Sequence, residues 1–390
     1  MLKILVVAGT RPNFVKVAPL LAEMRRRRGV LPILVHTGQH FDREMSGCFL
    51  EELRIPAPDF FLRPRPSAPV AEMTPALRDI MRGARPDVVL VVGDVNSTLA
   101  GAQAAASLEI PLAHVEAGLR SFDPTMPEEA NRVTTDVLSA MLFASEPSAV
   151  ANLVAEGHPP ERIFLAGNVM IDTLAEFRAA ARRSTVLQRL GLADGSGAAR
   201  RYILATLHRP ATVDNPAVLR RVWGALQEIA AEAPVVFPAH PRTQGRLHDC
   251  GLGGSSSPGP GIHLTGALPY LDFVRLESAA ALVMTDSGGA QEETTAMRVP
   301  CLTLRNNTER PITVHEGTNH IAGLDPAVIV AGARRALRGE LNSGCIPKLW
   351  DGRSARRIVS TICSRYGARR EPVASDVRIS SQAVPAAALC

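Results

Sequence analysis

Carboxylates that follow apolar segments are the residues of this chain best suited to acid–base chemistry. Asp94 and Glu116 follow two successive apolar runs, and Glu128 lies in the segment Pro127-Glu-Glu-Ala-Asn-Arg132. Carboxylates that converge on a partly dry site repel each other and raise each other's pKa, as a general acid and base pair requires. The sequence therefore predicts proton transfer, although each carboxylate could instead cap or stabilise a helix N-terminus.

Five cationic side chains indicate an anion site near these carboxylates. Arg11 and Lys16 flank a predicted helix start, where free N–H groups and the helix dipole attract anions. In the second half of the chain, His208 and Arg209 follow one apolar run and Arg310 follows another. An Arg and a Lys at a helix start can also be merely solvated, and a lone His is more often structural. Their shared position after apolar runs favours an anionic ligand.

The segment that begins at Asp286 predicts the nature of this anion. It follows an apolar run and begins a helix, where Ser287, Gly288 and Gly289 offer a hydroxyl and exposed backbone N–H groups. A diphosphate is the natural ligand of such a helix start. Glu293, further along the same helix, could accept hydrogen bonds from a ribose diol. The predicted ligand is therefore a group linked to a nucleoside diphosphate, although Ser-Gly-Gly turns are common between strands and helices.

Short runs rich in Val, Ile and Leu must position these residues. Strands are expected at 2–8, 31–36, 88–92, 112–115 and 163–166, and again at 202–207, 234–238, 262–264, 281–284 and 301–304. Segments with helical spacing separate the strands of the first half, at 15–27, 74–82, 98–108 and 128–138. This alternation predicts an α/β fold of two Rossmann-like, doubly wound parallel sheets, with the ligand in the cleft beyond the carboxyl ends of the strands.

The length of 390 residues allows two to three domains. We expect an N-terminal domain at 1–172 that carries the carboxylates and a C-terminal, nucleotide-binding domain at 200–350. A Gly- and Ser-containing segment at 191–197 lies between them. The segment 251–261 is expected to be a surface loop, and 369–390 a disordered tail.

Composition excludes several classes of protein. Hydrophobic residues make up 46% and charged residues 21% of the chain, as in an ordinary soluble globular protein. The net charge of +5, with 4% aromatic residues, gives no basic aromatic patch for nucleic acid, and no apolar run is long enough to cross a membrane. The six cysteines form no C-x-x-C pair, so we expect no metal site and a reducing cytoplasm. The dinucleotide fingerprint G-x-G-x-x-G is absent, so no redox cofactor is expected.

Several motifs together resemble those of the bacterial non-hydrolysing UDP-N-acetylglucosamine 2-epimerases. The resemblance covers about residues 2 to 365, and the motifs occur in the family's order. They are Gly9-Thr-Arg-Pro with Lys16, Thr37-Gly-Gln-His40, Val92-Gly-Asp94, His114-Val-Glu-Ala-Gly-Leu-Arg120, Pro127-Glu-Glu-Ala-Asn-Arg132, Gly167-Asn, Leu207-His-Arg209, Asp286-Ser-Gly-Gly-Ala-Gln-Glu-Glu293 and Asn307-Thr-Glu-Arg-Pro311.

This resemblance implies a fold and a reaction. The fold is the glycosyltransferase-B type, with a C-terminal helix at about 353–368 that packs back on the first domain, usually in a homodimer. The reaction is reversible inversion at C2 of UDP-N-acetylglucosamine to give UDP-N-acetylmannosamine. UDP is eliminated to leave a 2-acetamidoglucal and is then added back, and no cofactor is required.

The resemblance also assigns roles to residues. Asp94, Glu116 and Glu128 match the family's acid–base carboxylates, and His208 matches its catalytic histidine. Anion contacts are implied for Arg11, Lys16, Arg132, Arg209 and Arg310, phosphate contacts for Ser287, Gly288 and Gly289, a ribose contact for Glu293, and a place beside the uracil for Phe273. Gln39, His40 and His240 are candidates for a second, regulatory UDP-sugar site. Asp42 and Met73 occupy positions where that site is expected to have Gln, which argues against activation by substrate.

Two alternatives stay open. A relative that hydrolyses UDP after elimination, or one that acts on a UDP-diacetamido sugar, would share the same motifs. An inactive UDP-sugar-binding protein would be expected to lack one of the carboxylates or His208, and all of them are present.

Overall fold

The computed structural model describes residues 1–39, 48–62, 70–253, 261–341 and 344–367. The first half forms a seven-stranded parallel sheet with the strand order β3-β2-β1-β4-β5-β6-β7. Its strands are β1 (Leu2–Ala8), β2 (Val30–His36), β3 (Phe60–Phe61), β4 (Val88–Val92), β5 (Leu112–Val115), β6 (Met141–Ala144) and β7 (Ile163–Leu165).

Helices cover both faces of this sheet. They are α1 (Arg11–Arg26), α2 (Cys48–Glu52), α3 (Val70–Ala84), α4 (Asn96–Ser107), α5 (Pro127–Leu138), α6 (Pro147–Ala155), α7 (Val169–Ala181) and α8 (Val186–Arg189). The buried side chains of β1 alternate between two apolar clusters, with Ile4 and Val6 in one and Leu5 and Val7 in the other. A strand buried on both faces requires this continuous apolar run.

The second half forms a six-stranded parallel sheet with the strand order β10-β9-β8-β11-β12-β13. Its strands are β8 (Ile203–Thr206), β9 (Val235–Pro238), β10 (Ile262–Thr265), β11 (Leu282–Thr285), β12 (Cys301–Thr303) and β13 (Asn319–Ile321). Its helices are α9 (Pro210–Val213), α10 (Pro216–Ala230), α11 (Pro241–Asp249), α12 (Tyr270–Ala279), α13 (Gly288–Met297), α14 (Pro311–His315) and α15 (Pro326–Leu337). Both sheets follow the Rossmann order, in which the second, first and fourth strands are neighbours, so the predicted fold class is confirmed.

A final helix, α16 (Ser354–Tyr366), packs against α1 and α7 of the first half. Asp172 on α7 accepts hydrogen bonds from the backbone N–H groups of Ser354 and Ala355, at 3.0 and 2.7 Å, and so holds the start of α16. The predicted tail at 369–390 and most of the predicted loop at 251–261 lie outside the described residues. Among the described helices, none is long and apolar enough to cross a membrane.

Element boundaries differ from the sequence prediction where a local signal was weak. Helix α1 begins at Arg11 instead of 15, because Pro12 in its first turn has a φ suited to a helix start. Strand β6 was not predicted, since its short apolar run, Met141–Ala144, begins only two residues after the predicted helix at 128–138. The edge strands β3 and β13 were missed because they have only two and three residues.

Candidate active site

An ion-pair network joins the two halves of the chain at Glu116. This residue follows β5 directly, and its carboxylate forms a close ion pair with the ammonium of Lys16 on α1. The guanidinium Nη2 of Arg310, which precedes α14, lies 2.5 Å from Glu116 Oε1. All three side chains are at most 6% exposed. Both oxygens of Glu116 are therefore held by cations, one from each half.

The charge state of Glu116 follows from these neighbours. Burial by itself would raise the pKa of this carboxyl, but Lys16, Arg310 and Arg132 outweigh burial and lower the pKa to about 2. Glu116 is therefore ionised at neutral pH. The same cations are the groups that an incoming diphosphate would attract.

The backbone at Glu116 and at the neighbouring Gly93 adopts positive φ angles, and the absence of a side chain at Gly93 leaves room for the ion pair of Lys16 and Glu116. Glu116 has a φ of +73°, in the left-handed region that non-glycine residues seldom adopt. Gly93, at the end of the neighbouring β4, has a φ of +67°. A Cβ at Gly93 would lie 3.1 Å from Lys16 Nζ and 3.2 Å from Glu116 Oε2. A side chain at position 93 would thus crowd the ion pair directly.

Asp94 and Arg132 form a second pair beside the first. Arg132 Nη2 lies 2.5 Å from Asp94 Oδ2, and Asn131 donates to the Asp94 carbonyl oxygen at 2.9 Å. Arg132 is fully buried on α5, and its Nε and Nη1 atoms have no hydrogen-bond partner among the described residues. Since Arg132 also lowers the pKa of Glu116, Asp94 and Glu116 share one electrostatic environment.

Arg310 also binds two carboxylates of its own half. Its Nε donates to Glu292 at 2.9 Å and its Nη1 to Glu309 at 2.6 Å. Glu309 additionally accepts from Arg209 at 3.2 Å and from Arg305 at 3.1 Å. Although burial opposes ionisation, these guanidinium groups hold the pKa of Glu309 well below its usual range. The second half therefore contributes an array of cations at the carboxyl ends of its strands.

His208 is held by a buried aspartate at the end of β8. Its Nδ1 lies 2.9 Å from Asp286 Oδ1, and the backbone N–H groups of His208 and Arg209 donate to the same carboxylate, at 3.0 and 2.9 Å to Oδ2. Asp286 is fully buried, whereas 45% of the His208 side chain is exposed. Asp286 thus fixes one ring nitrogen, which leaves the exposed edge of the imidazole toward the solvent.

The start of α13 has the groups expected of a diphosphate site. Ser287 is the N-cap residue, but its hydroxyl caps no backbone N–H group and so stays available. A Cβ at Gly288 would lie 2.9 Å from Arg310 Cζ, so only glycine allows the guanidinium to pack over the helix start.

Glu293, the predicted ribose contact, is buried about one and a half turns further along α13. It accepts a hydrogen bond of 2.9 Å from Tyr270 Oη. Phe273, on α12, is half-buried against the core.

The other residues predicted to bind substrate or to transfer protons are not part of this ion-pair network, and some of them contact other side chains. The Arg11 guanidinium lies 4.3 Å from the centre of the Phe49 ring. Glu128 is half-buried in the first turn of α5, and no side chain of the described residues pairs with it. Gln39 accepts a hydrogen bond of 2.7 Å from the Ser97 hydroxyl, and His240 is the N-cap of α11. His40 and Asp42 lie outside the described residues, and Met73 is buried in the core.

Sequence reasoning did not single out several residues of the network. Glu292 and Glu309 lie inside the quoted motifs, but only the fold places both of them on Arg310. Glu146 follows the unpredicted strand β6, and its buried Oε2 atom has no partner among the described residues. Burial raises the pKa of Glu146 to about 7. Its position two residues after an apolar run was the signal that could have revealed it.

Comparisons with known proteins agree on one family. A family model described as UDP-N-acetylglucosamine 2-epimerase matches residues 22–363. The UDP-N-acetylglucosamine 2-epimerase of Methanococcus maripaludis is 37% identical over 368 residues, which cover 93% of this chain and 98% of that protein. The UDP-2,3-diacetamido-2,3-dideoxy-D-glucuronate 2-epimerase of Pseudomonas aeruginosa is 40% identical over 342 residues, which cover 86% and 92%.

A solved structure supports the same assignment. The crystal structure of the Methanocaldococcus jannaschii UDP-GlcNAc 2-epimerase in complex with UDP-GlcNAc and UDP has a TM-score of 0.83 and 35% sequence identity to this chain. The match covers 93% of this chain and 99% of that one. The family predicted from the motifs is thereby confirmed: the chain belongs to the UDP-N-acetylglucosamine 2-epimerase family.

Proposed function

We propose that this protein interconverts UDP-N-acetylglucosamine and UDP-N-acetylmannosamine by inverting C2 of the sugar. The observation that carries the proposal is the buried carboxylate of Glu116, which lies between cations of both halves and beside the pair of Asp94 and Arg132. A proton-transferring carboxylate next to an anion clamp is what elimination of a diphosphate requires. Family membership makes a UDP-linked 2-acetamido sugar the natural substrate.

The proposed reaction balances without an external oxidant or reductant. A carboxylate removes the proton from C2, the C1–O bond to the diphosphate breaks, and a C1=C2 double bond forms in a 2-acetamidoglucal. A proton is then delivered to the opposite face of C2 while a diphosphate oxygen bonds to C1 again. Asp94, Glu116 and Glu128 are the candidates for these proton transfers.

The cations and the α13 helix start would hold the UDP part. Arg310, His208 and Arg209 come from the second half, and Arg11, Lys16 and Arg132 come from the first. Ser287, Gly288 and Gly289 would bind the phosphates, Glu293 the ribose and Phe273 the uracil. In this proposal, residues 1–172 supply the proton-transferring wall of the site and residues 200–350 supply the nucleotide-binding wall.

Substrate binding would also raise the pKa of Glu116 and so make it a stronger base. While Arg310 and Lys16 hold it, Glu116 has a low pKa and is a weak base. A diphosphate that draws these cations to itself weakens their hold on Glu116 and adds negative charge nearby, and both effects raise the carboxyl pKa. Glu116 would therefore become a stronger base only when the leaving group is in place.

A second substrate is favoured by one comparison. The relative from Pseudomonas aeruginosa, named for a UDP-diacetamido-glucuronate, is 40% identical to this chain. The test is to incubate the purified protein with each UDP-sugar separately and to follow the products by proton NMR. UDP-N-acetylmannosamine formed from UDP-N-acetylglucosamine supports the proposal. Turnover of the diacetamido sugar alone would move the proposal to that substrate, and free N-acetylmannosamine with UDP would identify a hydrolysing enzyme.

We propose further that the protein acts as a cytoplasmic homodimer. The four cysteines whose side chains are described, Cys250, Cys301, Cys345 and Cys363, form no disulfide, which fits a reducing compartment. On α5, Val133 and Val137 lie one turn apart and are 36% and 64% exposed, a small apolar patch that a second subunit could cover. Light scattering coupled to size-exclusion chromatography tests the assembly, and a monomeric mass at micromolar concentration would contradict it.

A further inference from the structure

Helix α12 of the second half carries residues of the proposed nucleoside site and packs against the first half. Phe273 is the proposed uracil contact, and Tyr270 donates a hydrogen bond of 2.9 Å to Glu293, the proposed ribose contact. The same helix packs against α2, α7 and α8, which belong to the first half. The position of α12 therefore depends on contacts with the other half of the chain.

The first turn of α12 is capped by a residue of the first half. Its own N-cap residue is Pro269, whose ring offers no acceptor for the free N–H groups of the helix start. Glu52, the last residue of α2, instead accepts a hydrogen bond of 2.7 Å from the backbone N–H group of Tyr270, the first residue of α12. A carboxyl of the first half thus caps a helix of the second half.

Further contacts surround this cap. The ring of Phe49, a buried residue of α2, has its centre 6.1 Å from that of Tyr270. Asp272, in the first turn of α12, accepts hydrogen bonds from the Ser184 hydroxyl and the Arg189 guanidinium, both of which precede the second sheet. Residues outside the second sheet domain therefore converge on the first turn of α12.

We infer that Glu52 is a positioning residue for nucleoside recognition, which caps α12 from the first half and thereby holds Tyr270 and Phe273 in place for the uridine of a UDP-sugar. The inference rests on the uracil and ribose contacts in the proposed function. It adds a residue that does not touch the nucleotide and makes uridine recognition, a task of the second half, depend on the first half.

The capped position of α12 is linked to UDP binding. Phe273 can contact the uracil only while α12 holds this position, so the affinity for UDP falls with the fraction of molecules in which α12 is capped. By reciprocity, bound UDP favours the capped position. Inorganic pyrophosphate lacks the uridine and is expected to contact only the cations and the start of α13. Its affinity should therefore be independent of the cap.

Two substitutions at position 52 separate capping from packing. Glu52→Gln keeps a carbonyl oxygen as an acceptor for the Tyr270 N–H group, whereas Glu52→Met fills a similar volume without an oxygen. Glu51→Met is the matched control, because Glu51 precedes Glu52 on α2 and is exposed. The dissociation constants of UDP and of inorganic pyrophosphate are measured by calorimetry for each full-length protein. KM and kcat are measured with the UDP-sugar that the wild type turns over.

We expect Glu52→Met to bind UDP about fivefold more weakly than the wild type, as the loss of one helix cap would give, and to bind pyrophosphate within about twofold of it. KM should rise by a similar factor, and kcat should change by less than about twofold. Glu52→Gln and Glu51→Met should stay within about twofold of the wild type for both ligands. Unchanged UDP affinity in Glu52→Met, or an equal loss for UDP and pyrophosphate, would overturn the inference.

Hydrogen exchange in the wild-type protein tests the same linkage without a substitution. The Tyr270 N–H group should exchange with D2O more slowly in the UDP complex than in the pyrophosphate complex, because UDP alone favours the capped position of α12. Equal exchange rates in the two complexes would contradict the role given to Glu52. Failure of the wild-type protein to bind UDP would instead overturn the proposed function.

Discussion

Arg310 of the second half and Glu116 of the first form an ion pair of 2.5 Å, buried at the carboxyl edges of both parallel sheets. Arg310 reaches Glu116 while it also binds Glu292 and Glu309, so one guanidinium pairs with three carboxylates. Burial opposes its charge, but these three anions raise the pKa of Arg310 well above its usual value. The pair links the proposed proton-transferring wall of the site to the proposed UDP-binding wall.

Arg310→Lys should weaken both stability and UDP binding. A lysine keeps the charge but cannot serve three carboxylates with separate N–H groups, and breaking a buried ion pair costs about 3–5 kcal/mol. We expect the free energy of unfolding in urea to fall by about 2 kcal/mol and UDP affinity to fall by about tenfold or more.

The matched control is Arg338→Lys. Among the residues that the structure describes, Arg338 forms a salt bridge with Glu340 alone, and both side chains are about half exposed. Surface pairs of this kind contribute little, so stability and UDP affinity should stay close to those of the wild type. Equal effects of the two substitutions would refute the role given to Arg310.

Gly93→Ala should inactivate the protein more than it destabilises it. The left-handed φ costs an alanine about 1 kcal/mol, and its Cβ would press on Lys16 Nζ and Glu116 Oε2. Gly29→Ala has the same backbone cost at a φ of +87°, with nothing within 4 Å of the added Cβ. Both variants should lose similar stability in thermal unfolding, and only Gly93→Ala should lose kcat. Comparable activity in the two variants would show that crowding at Gly93 is harmless.

Glu116→Gln should change the pH dependence of stability. The pKa of Glu116 in the folded protein, about 2, lies below its ordinary value of 4.5. This carboxylate therefore stabilises the fold above pH 4.5, and its contribution is lost as the pH falls from 4.5 towards 2. The wild type should be more stable than Glu116→Gln at pH 7, and their unfolding curves should converge below pH 4.5. A difference that stays constant down to pH 3 would contradict the ion-pair assignment.

Asp286→Asn should impair His208 without disturbing the fold of the second sheet. An asparagine can accept the backbone N–H groups of His208 and Arg209 with one oxygen, but it removes the charge that faces His208 Nδ1. We expect kcat to fall about 100-fold or more, as for other histidines that lose an orienting carboxylate. Asp325→Asn, at the exposed N-cap of α15, is the control and should leave kcat unchanged. A wild-type kcat in Asp286→Asn would exclude this orienting role.

The sequence contained enough information for most of the fold and part of the site. β1, β4 and β5 were predicted with their observed bounds, because buried parallel strands have continuous apolar runs. Residues that follow the predicted strands were predicted to be functional, and the structure brings two of them, Glu116 after β5 and Arg310 beyond β12, into contact.

What could not be predicted depends on long-range packing. That Arg310 binds Glu292, Glu309 and Glu116 together is visible only when the two sheets face each other. Glu277 occupies a helix in which a Glu would ordinarily be solvated, so no local pattern marks it as buried. The sequence alone therefore could not predict which side chains pair across the cleft.

Exchange of the C2 hydrogen with solvent tests the central claim most directly. The purified protein is incubated with UDP-N-acetylglucosamine in D2O, and the sugar is followed by proton NMR. We predict deuterium at C2 of both the mannosamine-configured product and the recovered substrate, and its absence in Asp94→Asn and Glu116→Gln, which should still bind UDP. A product that keeps its original hydrogen at C2, or no exchange at any enzyme concentration, would contradict proton transfer by these carboxylates.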